Sequence, residues 1–131
     1  MKTENKVAKE LIKNLRELGF IVHRYDAVTT NSIYLKLDYG VCCGIRIADH
    51  KGKQKYHYRF NVYKDYDGDR VVIRDNLISY FYTFNEIPQL LRRIHEERKL
   101  KIKKYGIDKY KKIMKMESEK NRLYRRFDKV V

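Results

Sequence analysis

The sequence predicts an α+β fold: an N-terminal helix, an antiparallel sheet of about five or six strands, and two C-terminal helices. Three observations carry that expectation. An apolar stripe at helical spacing opens the chain, period-two alternation runs through much of Asn31–Tyr63, and a capping signal at Thr83 starts a return to helical spacing.

Thr3 can cap the first helix, which should run to about Leu18. Val7, Leu11, Leu15 and Leu18 form its stripe, Ala8 and Ile12 widen it, and Gly19 stands where a helix-ending glycine belongs. Phe20–Val22 should enter a short strand ending near Asp26. The polar loop 27–31 then leads into a three-stranded meander, punctuated by Asp38-Tyr39-Gly40 and by His50-Lys51-Gly52-Lys53. Its alternation assigns Ile33, Leu35, Leu37, Val41, Cys43, Ile45, Ile47, Tyr58 and Phe60 to a buried face. Tyr34, Lys36, Cys42, Arg46, His57 and Arg59 fall on the other face, which is aromatic and cationic.

Asp67-Gly68 between strand-like runs signals a hairpin turn. The aspartates around it do not make a calcium loop, because the glycine comes two places early and the closing position is Asn76. Strands are expected over Arg70–Arg74 and Ile78–Phe84, with a tight turn at Asp75-Asn76. Thr83-x-x-Glu86 reads as a capping box, and Pro88 fits only the first turn of a helix. Ile87, Leu90, Leu91 and Ile94 form that helix's buried stripe, Gly106 ends it, and Asp108 can cap a last helix over Lys109–Val130. The expected division is an α+β domain over 1–105 and a basic helix over 106–131, packed on the domain or extending from it.

The chain has 131 residues, with 31 Lys+Arg against 17 Asp+Glu and a net charge of +14. Residues 89–131 alone carry +10. Such charge points to a polyanionic partner, nucleic acid or a nucleoprotein. Twelve tyrosines and no tryptophan suit stacking on bases. The candidate binding residues on the sheet side are Tyr34, Lys36, Arg46, Lys51, Lys53, His57 and Arg59. On the helical side they are Arg98, Lys99, Lys101, Lys103, Lys104, Lys111, Lys112, Arg122, Arg125 and Arg126.

No apolar run approaches the roughly 20 residues that span a bilayer, and the opening MKTENKVAKELIK lacks the apolar stretch of a signal peptide. Cys42 and Cys43 are adjacent on a strand and cannot pair with each other, so a reducing, cytoplasmic setting is expected. His23, His50, His57 and His95 lie on separate elements without zinc spacing, so no metal or cofactor is expected, nor a small-molecule substrate. A metal-dependent nuclease is the enzymatic alternative, if Asp38, Asp49 and Lys51 or Lys53 converge at adjacent strand ends. Turn formation accounts for both aspartates more simply.

The segments SIYLKLDYG (Ser32–Gly40) and GIRIADHKGK (Gly44–Lys53) resemble small proteins of phages and mobile elements of Firmicutes, over roughly residues 11–63. The resemblance implies an anti-defence setting in a bacterial host, including inhibition of CRISPR effectors. It carries over no functional residue. The expectation is a small basic, non-enzymatic binding protein that engages nucleic acid or a host nucleoprotein such as a CRISPR effector.

Overall fold

The structure, a computed structural model, describes residues 3–42, 44–48, 58–67, 70–123 and 128–130, with the backbone alone at residues 3, 58–67, 70–79 and 121–123. Helix α1 (Thr3–Glu17) is followed by strands β1 (Val22–Asp26) and β2 (Ile33–Leu37), a 3-10 turn at Asp38–Gly40, and strands β3 (Gly44–Ile47), β4 (Tyr58–Asp67) and β5 (Arg70–Tyr82). Helices α2 (Ile87–Tyr105) and α3 (Ile107–Leu123) and a two-residue strand β6 (Asp128–Lys129) complete the order. The six strands form one sheet in the order β5-β4-β3-β2-β1-β6, and every pairing is antiparallel. The α+β class and the placement of its three helices are as the sequence predicts.

The core lies on one face of that sheet. Ile33 pairs with Ile47 and Leu35 with Ile45, so all four point the same way, joined by Leu37. The α1 stripe of Val7, Leu11 and Leu15 and the α2 residues Leu90 and Ile94 close over them. Each such fully buried side chain contributes about 1.5–3 kcal/mol relative to exposure. Helix α1 ends as its glycine predicts. Gly19 has φ +88, its N–H donates to Arg16 O, and the N–H of Phe20 donates back to Leu15 O. Thr83 and Glu86 form the predicted capping box, with the Thr83 N–H donating to Glu86 Oε1 at 2.9 Å.

The structure differs from the sequence reading in three places. First, β3 starts at Gly44, and Val41 has helical backbone (φ −63). Val41 therefore leaves the sheet core and packs with Tyr110 and Ile113 of α3, in a second apolar cluster that docks α3 at the end of the sheet. The same turn sends Cys42 into the core, 1% exposed, rather than onto the cationic face. Cys43, with Tyr58 and Phe60 as side chains, lies outside the described residues. Gly44 is required at the start of β3, because a Cβ there would stand 2.8 Å from Leu35 O.

Second, the turn expected at Asp75-Asn76 does not split the strand. Register passes from Val62↔Ile78 to Lys64↔Ile73, so the turn-forming residues become an irregularity inside a 13-residue β5. The long neighbour β4 pairs with both halves and holds them as one strand. Asp67 pairs with Arg70 where the Asp-Gly signal predicts a hairpin.

Third, the last helix stops at Leu123. The chain returns as β6 to the edge of β1, where the Val130 N–H donates to Val22 O at 2.8 Å and Val130 packs on the core. An edge strand with unpaired backbone groups attracts such a cover.

Candidate nucleic-acid interface

Antiparallel pairing puts directly opposed residues on one face, so register alone assembles a surface. Tyr25 pairs with Tyr34, Tyr34 with Arg46, Arg46 with Arg59, and Arg59 with Phe81. These five positions make a row across β1 to β5, about 19 Å long at the usual strand spacing. One step along the strands, His23 pairs with both Lys36 and Lys129. The row faces away from α1 and α2. Its neighbours on the opposite face, Ile33, Leu35, Ile45 and Ile47, are the ones in the core. Tyr25, Tyr34, Lys36 and Arg46 are half-buried and Phe81 is 47% exposed, as expected of a face over which no helix lies among the described residues.

Three side chains of the row, those of Tyr25, Tyr34 and Arg46, meet one another. The rings of Tyr25 and Tyr34 lie 6.1 Å apart, and the Arg46 guanidinium sits 5.9 Å from the centre of the Tyr34 ring. Arg46 also donates to Ser32 Oγ at 3.3–3.4 Å. A guanidinium on an aromatic plane next to a second ring can take a base by stacking and its phosphate by charge.

His23 is the exception on this face, being only 3% exposed. Burial first, then Lys36 and Lys129, hold its imidazole below the usual pKa of 6.5, with Asp128 opposing. It is therefore kept neutral, and its Nδ1 has no hydrogen-bond partner among the described residues. The Tyr39 ring lies against it, centroids 5.0 Å apart.

At the end of the sheet, polar residues do the opposite of what they do on the face. Asp38 is fully buried. Its Oδ1 accepts the Ile21 N–H at 3.0 Å and its Oδ2 accepts the Tyr110 hydroxyl at 2.6 Å. The Arg98 Nε stands 3.0 Å from Oδ2, an ion pair without an aligned hydrogen bond from that nitrogen. The terminal nitrogens of Arg98 reach Leu18 O and Gly19 O, so this cation also closes the C-terminus of α1. Burial, with Cys42 and Asp38 nearby, pushes the Tyr110 hydroxyl far above its usual pKa and keeps it a donor. Lys101 Nζ donates to Val41 O at 2.5 Å in the same region. One carboxylate thus ties together the start of β1, the end of β2, α2 and α3. Asp38 and Tyr39 both have left-handed backbone, φ +50 and +59. Such conformations cost about 1–3 kcal/mol each and persist only where the surroundings enforce them.

These positions revise part of the sequence reading. Lys101 is buried and Arg98 is half-buried, and each is tied to groups of the fold. Asp38 is a turn residue, as expected, and both its oxygens are engaged by protein donors. Cys42 is buried with its Sγ 3.9 Å from Ile94 O. Lys99, Lys103, Lys104, Lys111 and Lys112 are exposed on α2 and α3, and Arg122 is on α3 with its side chain outside the described residues. Tyr34, Lys36 and Arg46 come together with the position of Arg59. Lys51, Lys53, His57, Asp49, Arg125 and Arg126 lie outside the described residues. Tyr25, Phe81 and Lys129 join the surface although the sequence does not single them out. Their alternation with Arg24 and Tyr82 was visible, but the strand pairing that aligns them was not.

Among the described residues, no group of three or more His, Cys, Asp or Glu is placed to hold a metal ion, and no helix is long and apolar enough to cross a membrane. No family model, no curated protein and no solved structure matches the chain.

Proposed function

We propose that the chain is a non-enzymatic nucleic-acid-binding protein that takes a single strand on the open sheet face, while the exposed lysines of α2 and α3 add longer-range attraction to the polyanion. The observation that carries this reading is the row of positions Tyr25–Tyr34–Arg46–Arg59–Phe81, aromatic at both ends and cationic between, on a face over which no helix lies among the described residues. Sheets that bind single strands elsewhere stack two or three bases on such aromatics. Lys99, Lys103, Lys104, Lys111 and Lys112 supply sequence-independent attraction to the backbone. A guide or target strand within a CRISPR effector offers the same bases and phosphates, which is where the resemblance to mobile-element proteins leads.

The test is a titration of labelled single-stranded RNA, single-stranded DNA and duplex of equal length, over a range of salt, with an inspection for cleavage. Single strands should bind more tightly than duplex, and the logarithm of the affinity should fall linearly with log salt. Changing Lys99, Lys103 and Lys104 together to Ser should flatten that slope. Binding to an intact nucleoprotein without binding to free nucleic acid would overturn the reading in favour of a protein-surface ligand. Metal-dependent cleavage would overturn it in favour of the nuclease.

A further inference from the structure

Asp38, Tyr39 and Gly40 form a left-handed run, with φ +50, +59 and +93. Two of the three are explained. Asp38 is there because its buried carboxylate joins Ile21, Arg98 and Tyr110. Gly40 adopts such angles freely. Tyr39 is not explained by the core. It belongs to neither apolar cluster and is half-buried. A bulky aromatic is among the residues least suited to this backbone, where Gly or Asn fits without strain.

Its position accounts for it. The Tyr39 ring lies on His23, at a tilt of 52°. Since His23 pairs with Lys36 and Lys129, the ring stands on the same side of the sheet as Tyr25, Tyr34 and Arg46. Lys36 and Lys129 flank His23 on either side, one same-face step along the strands from Tyr25 and Tyr34.

We infer that Tyr39 is a base-stacking residue at the β2 end of the single-strand site, held there in a left-handed backbone by the Asp38–Arg98–Tyr110 cluster. The inference rests on the single-strand reading above. A strand crossing the face from Phe81 toward β1 would turn along β2 and β1, pass its phosphates over Lys36 and Lys129, and set a base on Tyr39. The tilted packing on His23 fixes the ring from below, so little of its freedom is lost when a base arrives.

The experiment compares the unaltered chain, Tyr39→Asn, Tyr39→Phe and Tyr34→Ala for binding to fluorescein-labelled oligothymidylate, with a thermal melt of each. Asn tolerates the left-handed backbone, so Tyr39→Asn should melt no lower than the unaltered chain. Its affinity should nevertheless drop by about fivefold or more, the low end of what one stacked base is worth, with the salt slope unchanged. Tyr39→Phe should bind as the unaltered chain does. Normal binding by Tyr39→Asn beside weakened binding by Tyr34→Ala overturns the inference and leaves the single-strand reading standing. No effect of either, or no binding by the unaltered chain, removes that reading and the inference with it. If Tyr39→Asn does not fold, ultraviolet crosslinking of the unaltered chain to the same oligonucleotide decides: an adduct on Tyr39 supports the assignment, and adducts on Tyr34 without one on Tyr39 overturn it.

Discussion

The end of the sheet and its open face use the same residue types to opposite effect. At the end, an arginine, a lysine and a tyrosine surround one buried aspartate and a set of backbone carbonyls, and each of them has a polar partner within the fold. On the face, Tyr34 and Arg46 are half-exposed, and the described partners of the arginine are a hydroxyl and an aromatic ring. No carboxylate is among them. The difference teaches that net charge does not locate a binding surface. Arg98 and Lys101 belong to the most basic part of the chain yet hold the fold together, whereas Arg46, outside it and half-buried like Arg98, has no carboxylate among its described partners.

Breaking the end of the sheet should have the largest effect. Asp38→Ala leaves the Arg98 cation, the Tyr110 hydroxyl and the Ile21 N–H without their acceptor. Removing one partner of a buried ion pair costs about 3–5 kcal/mol. A urea titration should show that loss. A change below about 1 kcal/mol would mean that solvent replaces the carboxylate, and the contrast with the face would collapse.

A smaller effect should come from the buried imidazole beneath the face. His23 has a lowered pKa in the folded chain, so the unfolded chain binds its proton first as pH falls. Its effect on stability is therefore nil above about pH 6.5 and increasingly unfavourable as pH falls below that value. Unfolding midpoints at pH 8 and pH 5 should differ less in His23→Gln than in the unaltered chain. Equal differences would show that His23 charges freely in the fold.

Much of the fold is legible locally. The alternation of Ile33, Leu35 and Leu37 and of Ile45 and Ile47 marks the buried face, and Gly19, Gly106 and the Thr83–Glu86 box mark helix ends, because each signal is complete within a few residues. What was not legible is pairing at a distance. Nothing near Arg98 distinguishes it from Lys99. Its role depends on Asp38, which in turn meets Tyr110 from 72 positions away in sequence. Alternation puts Cys42 on the wrong face because the turn at Asp38–Gly40 shifts its phase. The interface was half legible: Tyr34, Lys36 and Arg46 share a face by parity within one meander, but Tyr25 and Phe81 join them only through register with strands formed elsewhere in the chain.

The central claim, that the open sheet face receives a single strand, is tested most directly by following backbone amide resonances during titration with an unlabelled oligothymidylate. The account predicts that the shifts concentrate at Tyr25, Tyr34, Tyr39, Arg46 and Phe81, with weaker changes along the exposed lysines of α2 and α3. Shifts confined to α2 and α3, with the sheet unmoved, would contradict it.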